Sequence, residues 1–537
     1  MTDKARMAFV ERYSEEMHRI GSELEAAVWD METTSAETAK ERMVQLEIDF
    51  HQIFQRSEDW QTIRDYYYDR DAIVDGDLRR QIERLYYNFA ANQDRPDRVA
   101  TLARLAADVQ GDFTSFRASF EGREVNDNDL NAILREETDS ATVRAAWESS
   151  KSIGPVVAER IVRLAELRNE AAQDLGYRDY YAQSLHLQEI EEAHLFDLFE
   201  DLEVQTRGPF AQLKAELDQG LAQRFGVSVG ALRPWHYANP FFQEPPPLSG
   251  VSLDPVFEGK DVAMLAVDAF DRMGMEVRDI IERSDLYERP GKNQHAFCIH
   301  IDALSDDVRV LCNLRSDEFW TTTMLHELGH GVYDKYLDPE LPYLLRGPAH
   351  TSSTEAIAML MGRLTHHPGW LSAVAGADDV ASLTEAANRD LAFQMLTFVR
   401  WVLVMTHFER ALYQEPRRPD LNGLWWELVG RFQMLTIPEG RRHGETPDWA
   451  AKIHLALYPV YYHNYLLGEL TASQIQHTLS SHQDGDSWFL QPATGGLLRK
   501  RLFALGAKHP WNETLELVTD EPLRTDYFAS QFVEVSS

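Results

Sequence analysis

The sequence predicts a mostly α-helical protein with one small β-ribbon. Apolar residues recur at helical spacing along most of the chain, beginning with Met7, Val10, Tyr13, Met17 and Ile20. Residues 294–312 instead alternate between apolar and polar side chains, as strands do. Proline and glycine residues separate the helical stretches, and the sequence contains no internal repeat or low-complexity tract.

Composition and charge limit the classes to which this protein can belong. The 537 residues are 44% hydrophobic and 26% charged, which is typical of a globular protein. The formal charge of −34 argues against nucleic-acid partners and anionic membrane surfaces. The N-terminal residues are charged and no window holds 18 apolar residues, so we expect no signal peptide, no transmembrane helix and a cytoplasmic location. Two cysteines, Cys298 and Cys312, do not make a disulfide framework.

The first half of the chain is predicted to be helical with one irregular loop. Residues 1 to about 110 form successive amphipathic helices, and a short strand is expected within 111–125. Helices return over 127–223 with a break at Gly176 and Tyr177. Prolines at 240 and 245–247 then exclude a helix from 233–247, and the aromatic content of that stretch predicts a loop packed beside a cleft. A helix near 259–275 follows.

Residues 294–302 and 308–313 are predicted to pair as an antiparallel hairpin. The hairpin comes directly before the most informative helix of the chain. Its edge could hold an extended peptide by strand addition, or the hairpin could be a purely structural ribbon. The sequence leaves both interpretations open.

The next helix carries His326-Glu327-x-x-His330. Residues four apart share a helix face, so His326 and His330 can offer two imidazoles to one metal ion, and Glu327 can take a proton from a water there. The alternative is a helix with two half-buried histidines and a solvated Glu. Ser316 is the expected N-cap. Glycine costs a helix about 1 kcal/mol relative to alanine, so Gly329 and Gly331 on either side of His330 indicate the close approach of another backbone or a substrate.

Glu355 has two interpretations. In Ser352-Ser-Thr-Glu355 it fits a capping box, in which Glu355 accepts the Ser352 N–H. It also lies 25 residues after His330, where a third metal ligand is possible. The metzincin pattern would need a third His at position 336, which is Tyr336, so that class is excluded.

The spacing to Glu355 and the residues around it resemble the angiotensin-converting-enzyme-type peptidyl-dipeptidases and the related thimet-type oligopeptidases. Arg346-Gly-Pro-Ala349 and Glu355-Ala-Ile resemble the converting enzymes' Arg-Glu-Gly-Ala and Glu-Ala-Ile. Residues 25–34 resemble the end of their first lid helix, and Cys298-Ile-His300 with Cys312 resembles the hairpin that lines their substrate groove. The resemblance resumes at Trp425 and runs through Tyr465.

The resemblance implies two helical halves that flank a deep substrate cleft, in a single catalytic domain over residues 1–537. Residues 1–110 would form an N-terminal helical lid region, and residues 290–470 the zinc site and the substrate-binding core.

The resemblance also implies roles for single residues. These are His326, His330 and Glu355 as ligands of one Zn²⁺ per chain, Glu327 as catalytic base, His454 and Tyr465 as partners of the oxyanion, Lys452 and Tyr462 as partners of the substrate's C-terminal carboxylate, and His300 and Ile301 as partners of the substrate backbone.

Several positions depart from the family pattern or have a second interpretation. Met359 stands where the family often has an Asp that orients a zinc-binding His. Asn464 replaces a chloride-binding Arg, so we expect little chloride dependence. The family's carboxylate-binding Gln is expected near His236 or Tyr237. The alternative for Lys452 is a surface residue beside Asp448. The family's disulfide would join Cys298 and Cys312, which we expect to be reduced in a cytosolic chain.

We therefore expect a zinc peptidase that hydrolyses unstructured oligopeptides and releases C-terminal dipeptides. An endo-acting oligopeptidase of the thimet type is the alternative with the same chemistry, and an inactive peptide-binding protein is the distant one. The expected partners are oligopeptide substrates, with no nucleic acid and no membrane. The protein is expected to be a monomer or a homodimer.

Overall fold

The structure is a computed structural model that describes residues 2–378, 380–442, 446–482 and 485–533. About 70% of it is helical, and its β-structure in the described residues is two antiparallel two-stranded sheets. The prediction of a mostly α fold is confirmed. The first sheet lies within residues 111–125, where a short strand was expected, and the second is the hairpin before the His-Glu-x-x-His helix.

The helices and strands of the first half are numbered in chain order. They are α1 (Asp3–Thr34), α2 (Glu37–Ile53), α3 (Ser57–Tyr68), α4 (Gly76–Ala91), α5 (Pro96–Ser115), β1 (Ala118–Phe120), β2 (Arg123–Val125), α6 (Asp127–Glu136), α7 (Ser140–Ser150), α8 (Gly154–Asp174), α9 (Tyr180–Leu187) and α10 (Glu192–Phe225).

The numbering continues through the second half. The elements are α11 (Asp254–Phe257), α12 (Val262–Arg272), α13 (Arg278–Arg283), β3 (Phe297–Asp302), β4 (Asp307–Leu311), α14 (Glu318–Lys335), α15 (Thr351–Gly362), α16 (Pro368–Ala373), α17 (Ala381–Gln414), α18 (Leu421–Leu428), α19 (His454–Leu457), α20 (Tyr462–His482), α21 (Pro492–Arg501), α22 (Trp511–Thr519) and α23 (Asp526–Val533).

The chain divides into two compact units, each built from three segments. The first unit comprises Met1–Gln93, Ser252–Ala387 and Leu467–Tyr527, and the second comprises Asp94–Val251, Asn388–Leu466 and Phe528–Ser537. The first contains α1–α4, α11–α16 and the β3–β4 hairpin, and the second contains α5–α10, α18, α19 and the β1–β2 sheet.

The β3–β4 hairpin of the first unit contains a bulge. His300 pairs with Val308 and Asp302 pairs with Asp307, so Ile301 is an extra residue without a partner in the β4 register. Such a bulge bends the strand locally and leaves backbone groups unpaired across the ladder.

One face of this hairpin packs on the first helix of the chain. Trp29 of α1 forms a buried cluster with Ile299, Ile301 and Leu311. Burying large apolar side chains contributes roughly 1.5–3 kcal/mol each, so this cluster fixes the hairpin on α1.

Helix α14 carries the His-Glu-x-x-His motif and begins after Asp317. The Asp317 carboxylate accepts the Trp320 N–H at 2.8 Å, whereas Ser316 donates to the Lys260 carbonyl. The expectation that Ser316 caps this helix is wrong, because the neighbouring carboxylate is the better acceptor at the positive end of the helix dipole.

Gly329 lies where α14 and α15 come closest together. A Cβ at this position would lie 2.6 Å from Cα and 3.0 Å from N of Ala358. A side chain there would force the two helices apart. The expected close approach of another backbone to Gly329 is confirmed, and that backbone belongs to the helix that carries Glu355.

The 233–247 loop of the second unit is irregular, as its prolines predict. Its regular structure is a single 3₁₀ turn at Pro234–His236. The Gln433 side chain donates to the carbonyls of Phe241 and Phe242, at 2.9 Å each, and so ties the middle of the loop to the helical body.

Helix α17 is long and apolar enough to cross a membrane by length and composition. Its most apolar 18-residue window has a mean hydropathy of 1.4, and 72% of that window is buried inside the protein. Among the described helices it is the one that passes this test. A buried core helix passes it equally, so the expected absence of a membrane partner stays a prediction.

Candidate active site

The two motif histidines and Glu355 converge in the first unit. Nε2 of His326 lies 3.6 Å from Oε2 of Glu355, and Nε2 of His330 lies 3.8 Å from the same oxygen. Within the described residues they are the one group of three His, Cys, Asp or Glu side chains whose ligand atoms lie within 4.8 Å of one another. Tetrahedral zinc ligands at about 2.0–2.1 Å are about 3.3 Å apart, so this set fits one ion after a small side-chain shift.

Both histidines are in the protonation state that binds a metal. Burial lowers the pKa of His326 to about 4. Burial, with the neighbouring His326, lowers the pKa of His330 to about 3. The two imidazoles are therefore neutral at pH 7, with a lone pair free for a cation.

The structure decides between the two interpretations of Glu355 in favour of a free carboxylate. The N-cap of α15 is His350, whose Nδ1 accepts the Ser352 N–H at 3.1 Å. Ser352 therefore lies inside the helix, and the capping box between Ser352 and Glu355 does not form. Burial raises the pKa of Glu355 to about 7, so its ionised form needs a nearby cation.

Glu327 is buried beside this candidate metal-binding group, with 7% of its surface exposed. Burial and, to a lesser extent, the negative charge of Glu355 raise its pKa to about 8, against the opposing effect of the backbone N–H of Cys298 on β3. A carboxylate whose pKa lies near the working pH can accept a proton and return it. A bound cation would lower this pKa and favour the base form.

A hydrogen bond orients His330. Its Nδ1 lies 2.8 Å from Oγ1 of Thr354. A partner on the second nitrogen fixes the ring and its tautomer, so that Nε2 keeps the lone pair. Sequence reasoning missed Thr354 because the family pattern places this partner at Met359. Met359 instead packs on Gly468. A Cβ added to Gly468 would lie 3.2 Å from Sδ of Met359 and 3.3 Å from Cβ of Glu355.

His300 and Ile301 lie on the hairpin, where the sequence places them. Nε2 of His300 lies 3.0 Å from the carbonyl of Ser305 in the same hairpin, and the Ile301 side chain is buried on Trp29. The Ile301 side chain is therefore engaged within the fold, whereas the His300 side chain is half-buried and is bonded within the hairpin through Nε2.

The two cysteines of the hairpin region are free thiols. Burial raises the pKa of Cys298 well above its usual range, and burial also raises the pKa of Cys312. Thiols of this kind are poor nucleophiles near neutral pH.

A second group of predicted residues lies in the second unit and includes Lys452. Its Nζ donates to Oε1 of Gln243 at 2.7 Å and lies 5.3 Å from the ring centre of Trp401. Asp448, the alternative partner of Lys452, instead accepts the Arg441 guanidinium at 3.0 Å. The partner of the Lys452 ammonium is therefore Gln243, and the alternative pairing with Asp448 does not form.

The Lys452 ammonium lies at a cavity. Burial lowers its pKa to about 8, against the opposing charge of Glu244. Lys452 and Gln243 line a cavity of about 720 Å³ together with Phe241 and the prolines at 245–247. A partly desolvated ammonium in such a cavity is suited to a carboxylate, because a charge-assisted bond is strong there.

Residues 452–465 form a tyrosine-rich segment, and three of its aromatic residues cluster beside Lys452. The ring centre of Tyr462 lies 5.0 Å from that of His454 and 5.6 Å from that of Tyr465. Burial, with the Lys452 charge, lowers the pKa of His454 to about 4. Nδ1 of His454 is buried without a hydrogen-bond partner in the described part of the chain, so this neutral ring has a polar atom available.

Two positions compared with the family pattern have other contacts than that pattern suggests. Gln243, rather than His236 or Tyr237, is the loop residue beside Lys452. Nδ2 of Asn464, at the position of the chloride-binding Arg, donates to Oε1 of Gln188 at 2.8 Å. The low chloride dependence expected from Asn464 stays a prediction.

Two family models match the sequence. The one described as angiotensin-converting enzyme matches residues 1–233, and the one described as peptidase family M3 matches residues 129–534. The second match covers more than half of the chain and includes α14, α15 and the tyrosine-rich segment. The chain belongs to peptidase family M3.

Membership of peptidase family M3 establishes the general activity. The protein is a metallopeptidase that acts on oligopeptides. The relationship to the converting-enzyme-like zinc metallopeptidases and to the thimet-type oligopeptidases, predicted from the residues around Glu355, is confirmed.

Proposed function

We propose that this member of peptidase family M3 is a zinc peptidyl-dipeptidase, which removes C-terminal dipeptides from unstructured oligopeptides. The observation that carries the proposal is the ammonium of Lys452, held by Gln243 at a cavity of about 720 Å³. An enzyme that releases dipeptides must recognise a free C-terminal carboxylate. The Lys452 ammonium has a lowered pKa and is bonded to a neutral amide rather than to a carboxylate, and both features support that role.

One Zn²⁺ per chain would be held by His326, His330 and Glu355. When bound, the ion supplies a Lewis acid that acidifies the attacking water and polarises the scissile carbonyl. The neutral imidazoles, and a carboxylate that burial destabilises in the absence of a cation, support this ligand set.

Glu327 is the proposed catalytic base. It takes the proton of the attacking water and passes it to the leaving amine. Its burial and its raised pKa support a group that cycles between carboxylate and carboxylic acid.

His454 and Tyr465 are the proposed donors to the oxyanion, and each good donor contributes roughly 3 kcal/mol to transition-state stabilisation. Tyr462 adds a hydroxyl to the carboxylate site of Lys452. The backbone of His300 and Ile301 is proposed to bind the peptide backbone. The neutral His454 ring with its unused Nδ1 supports the first role.

An endo-acting oligopeptidase is the second candidate. The family M3 model covers the metal helices and the tyrosine-rich segment, whereas the converting-enzyme model ends at residue 233. A cavity of about 720 Å³ also has room for more than one C-terminal side chain, so a peptide could continue past Lys452. The inactive binding protein is the least supported candidate, because Glu327 and all three ligands are present.

The deciding experiment compares a free-acid decapeptide with its C-terminally amidated twin, and identifies the products by mass spectrometry. The free acid should lose dipeptides stepwise. The amide should be cut at least about tenfold more slowly, since a charged contact of about 1.4 kcal/mol or more is lost. Lys452→Met should erase most of this difference and leave the zinc content unchanged.

Lys214→Met is the matched control, since Lys214 is also a buried lysine of the second unit but is paired with Asp218. It should preserve the discrimination between the two peptides. Equal cleavage of both peptides at internal bonds would establish the oligopeptidase instead.

A further inference from the structure

The segment between His454 and Tyr462 contains a residue in an unusual backbone conformation. Val460 has φ of +53°, in the left-handed region. Among the described residues it is the one β-branched side chain with positive φ. A β-branched residue is a genuine outlier there, because its Cβ crowds the following carbonyl oxygen. Such a conformation persists only where its surroundings over-determine it.

Two side chains hold both backbone groups of Val460, the buried Glu409 and the half-buried Gln188. Its N–H donates to Oε1 of Glu409 at 2.8 Å, and its carbonyl accepts Nε2 of Gln188 at 3.3 Å. Glu409 lies on α17 with 3% of its surface exposed, and Val460 itself is 1% exposed. Water therefore does not replace the bond between the Val460 N–H and Glu409.

Gln188 is itself held in place and continues the network into α20. Its Nε2 donates to the carbonyl of Ser184, and its Oε1 lies within hydrogen-bond distance of His463 and Asn464. The first turn of α20 is thus tied to the same side chain that holds the Val460 carbonyl.

Burying the Glu409 carboxylate costs desolvation free energy, so its presence in the core calls for a compensating interaction. Burial raises the pKa of Glu409 to about 8, against the opposing effects of the Val460 N–H and the Arg168 charge. An apolar side chain of the same size would avoid that desolvation. Glu409 can accept the one backbone N–H that the strained turn directs into the core.

The conformation of Val460 determines the direction in which the chain enters α20. That helix begins at Tyr462, two residues later, and Tyr465 follows on its first turn. We propose that Glu409, together with Gln188, holds Val460 in the left-handed conformation and thereby positions Tyr462 and Tyr465. The functional part of this inference rests on the proposed roles of the two tyrosines in peptide binding.

A double-mutant cycle tests the inference, because glycine adopts a positive φ without strain. Glu409→Leu removes the acceptor and should lower kcat/KM for the decapeptide at least about tenfold with zinc retained, since small misplacements of binding groups are costly. Glu409→Gln, which keeps a carbonyl acceptor, should retain most activity. Adding Val460→Gly to Glu409→Leu should restore kcat/KM to within about threefold of Val460→Gly alone.

Hydrogen exchange supplies a readout that does not depend on activity. In a peptic fragment covering residues 455–466, the Val460 amide should exchange at least about tenfold faster in Glu409→Leu than in the wild type. If Glu409→Leu does not fold, Gln188→Leu carries the same expectations, including rescue by Val460→Gly.

Two results would overturn the inference. One is an active wild type in which Glu409→Leu leaves exchange and kinetics unchanged. The other is a loss of stability and activity that Val460→Gly does not reverse, which marks Glu409 as a purely structural residue. A wild type without peptidase activity would instead overturn the proposed function, while the exchange data would still show whether Glu409 holds Val460.

Discussion

Replacing Gly329 by alanine should separate α14 and α15, the two helices that carry the proposed metal ligands. The new Cβ would lie 2.6 Å from Cα of Ala358, about 0.8 Å inside ordinary van der Waals contact. The obstacle is helix backbone, which cannot rotate away as a side chain can. Since metal ligands must hold their distances within about 0.2 Å, a displacement of this size removes Glu355 from the site occupied by His326 and His330.

The expected result for Gly329→Ala is a loss of zinc affinity of at least about 100-fold, because even the loss of an outer-shell partner costs 10–100-fold. Overpacking should cost about 1–3 kcal/mol of stability, offset by about 1 kcal/mol of helix propensity. Zinc affinity is measured by competition with a chromogenic chelator, and stability by thermal unfolding of the zinc-free protein.

Gly220→Ala is the matched control, since a Cβ there meets nothing within 4 Å in α10. It should stabilise the protein by about 0.5–1 kcal/mol and leave zinc affinity unchanged. A Gly329→Ala protein with wild-type zinc affinity and thermal stability would refute the packing argument for this site.

Three further predictions concern single groups. Thr354→Val should weaken zinc binding about 10–100-fold, because the Thr354 hydroxyl is the group that reaches His330. Thr354→Ser keeps the hydroxyl and should bind zinc nearly as well as the wild type. Equal zinc affinities of the two variants in chelator competition would contradict this prediction. The preference for the free-acid peptide over its amide should fall as pH rises through about 8, since Lys452 is charged below its depressed pKa and neutral above it; a ratio constant from pH 6 to 9 would count against this role. Thiol titration should find two reactive cysteines in denaturant and almost none in the native protein at pH 7, because burial raises the pKa of both; no thiols in denaturant would indicate a disulfide.

The convergence of the candidate metal-binding residues was largely predictable because it depends on helix periodicity. His326 and His330 share a face by their spacing, and the type of each residue fits the chemistry. The role of Glu355 stayed open because Ser352 offered a plausible cap. The start of α15, where His350 is the N-cap, rules out that capping box, and the role of Glu355 as a metal ligand stays a proposal.

The residues that sequence reasoning missed depend on tertiary contacts without a periodic signal. Thr354 meets His330 across two packed helices, and nothing in its local sequence indicates a partner 24 positions earlier. Gln243 lies in an irregular proline-rich loop, where spacing gives no register with Lys452. The left-handed Val460 follows Pro459 but lacks the glycine that normally marks such a turn. The single catalytic domain over residues 1–537, with a lid at 1–110, stays a prediction.

The most direct test of the metallopeptidase mechanism is Glu327→Gln, measured for zinc content and for turnover of the free-acid decapeptide. The substitution keeps the size of the side chain and removes the base. The variant should bind one zinc per chain, as the wild type should, and lose at least about a thousandfold in kcat. Near-normal turnover by a zinc-loaded Glu327→Gln protein would contradict the mechanism.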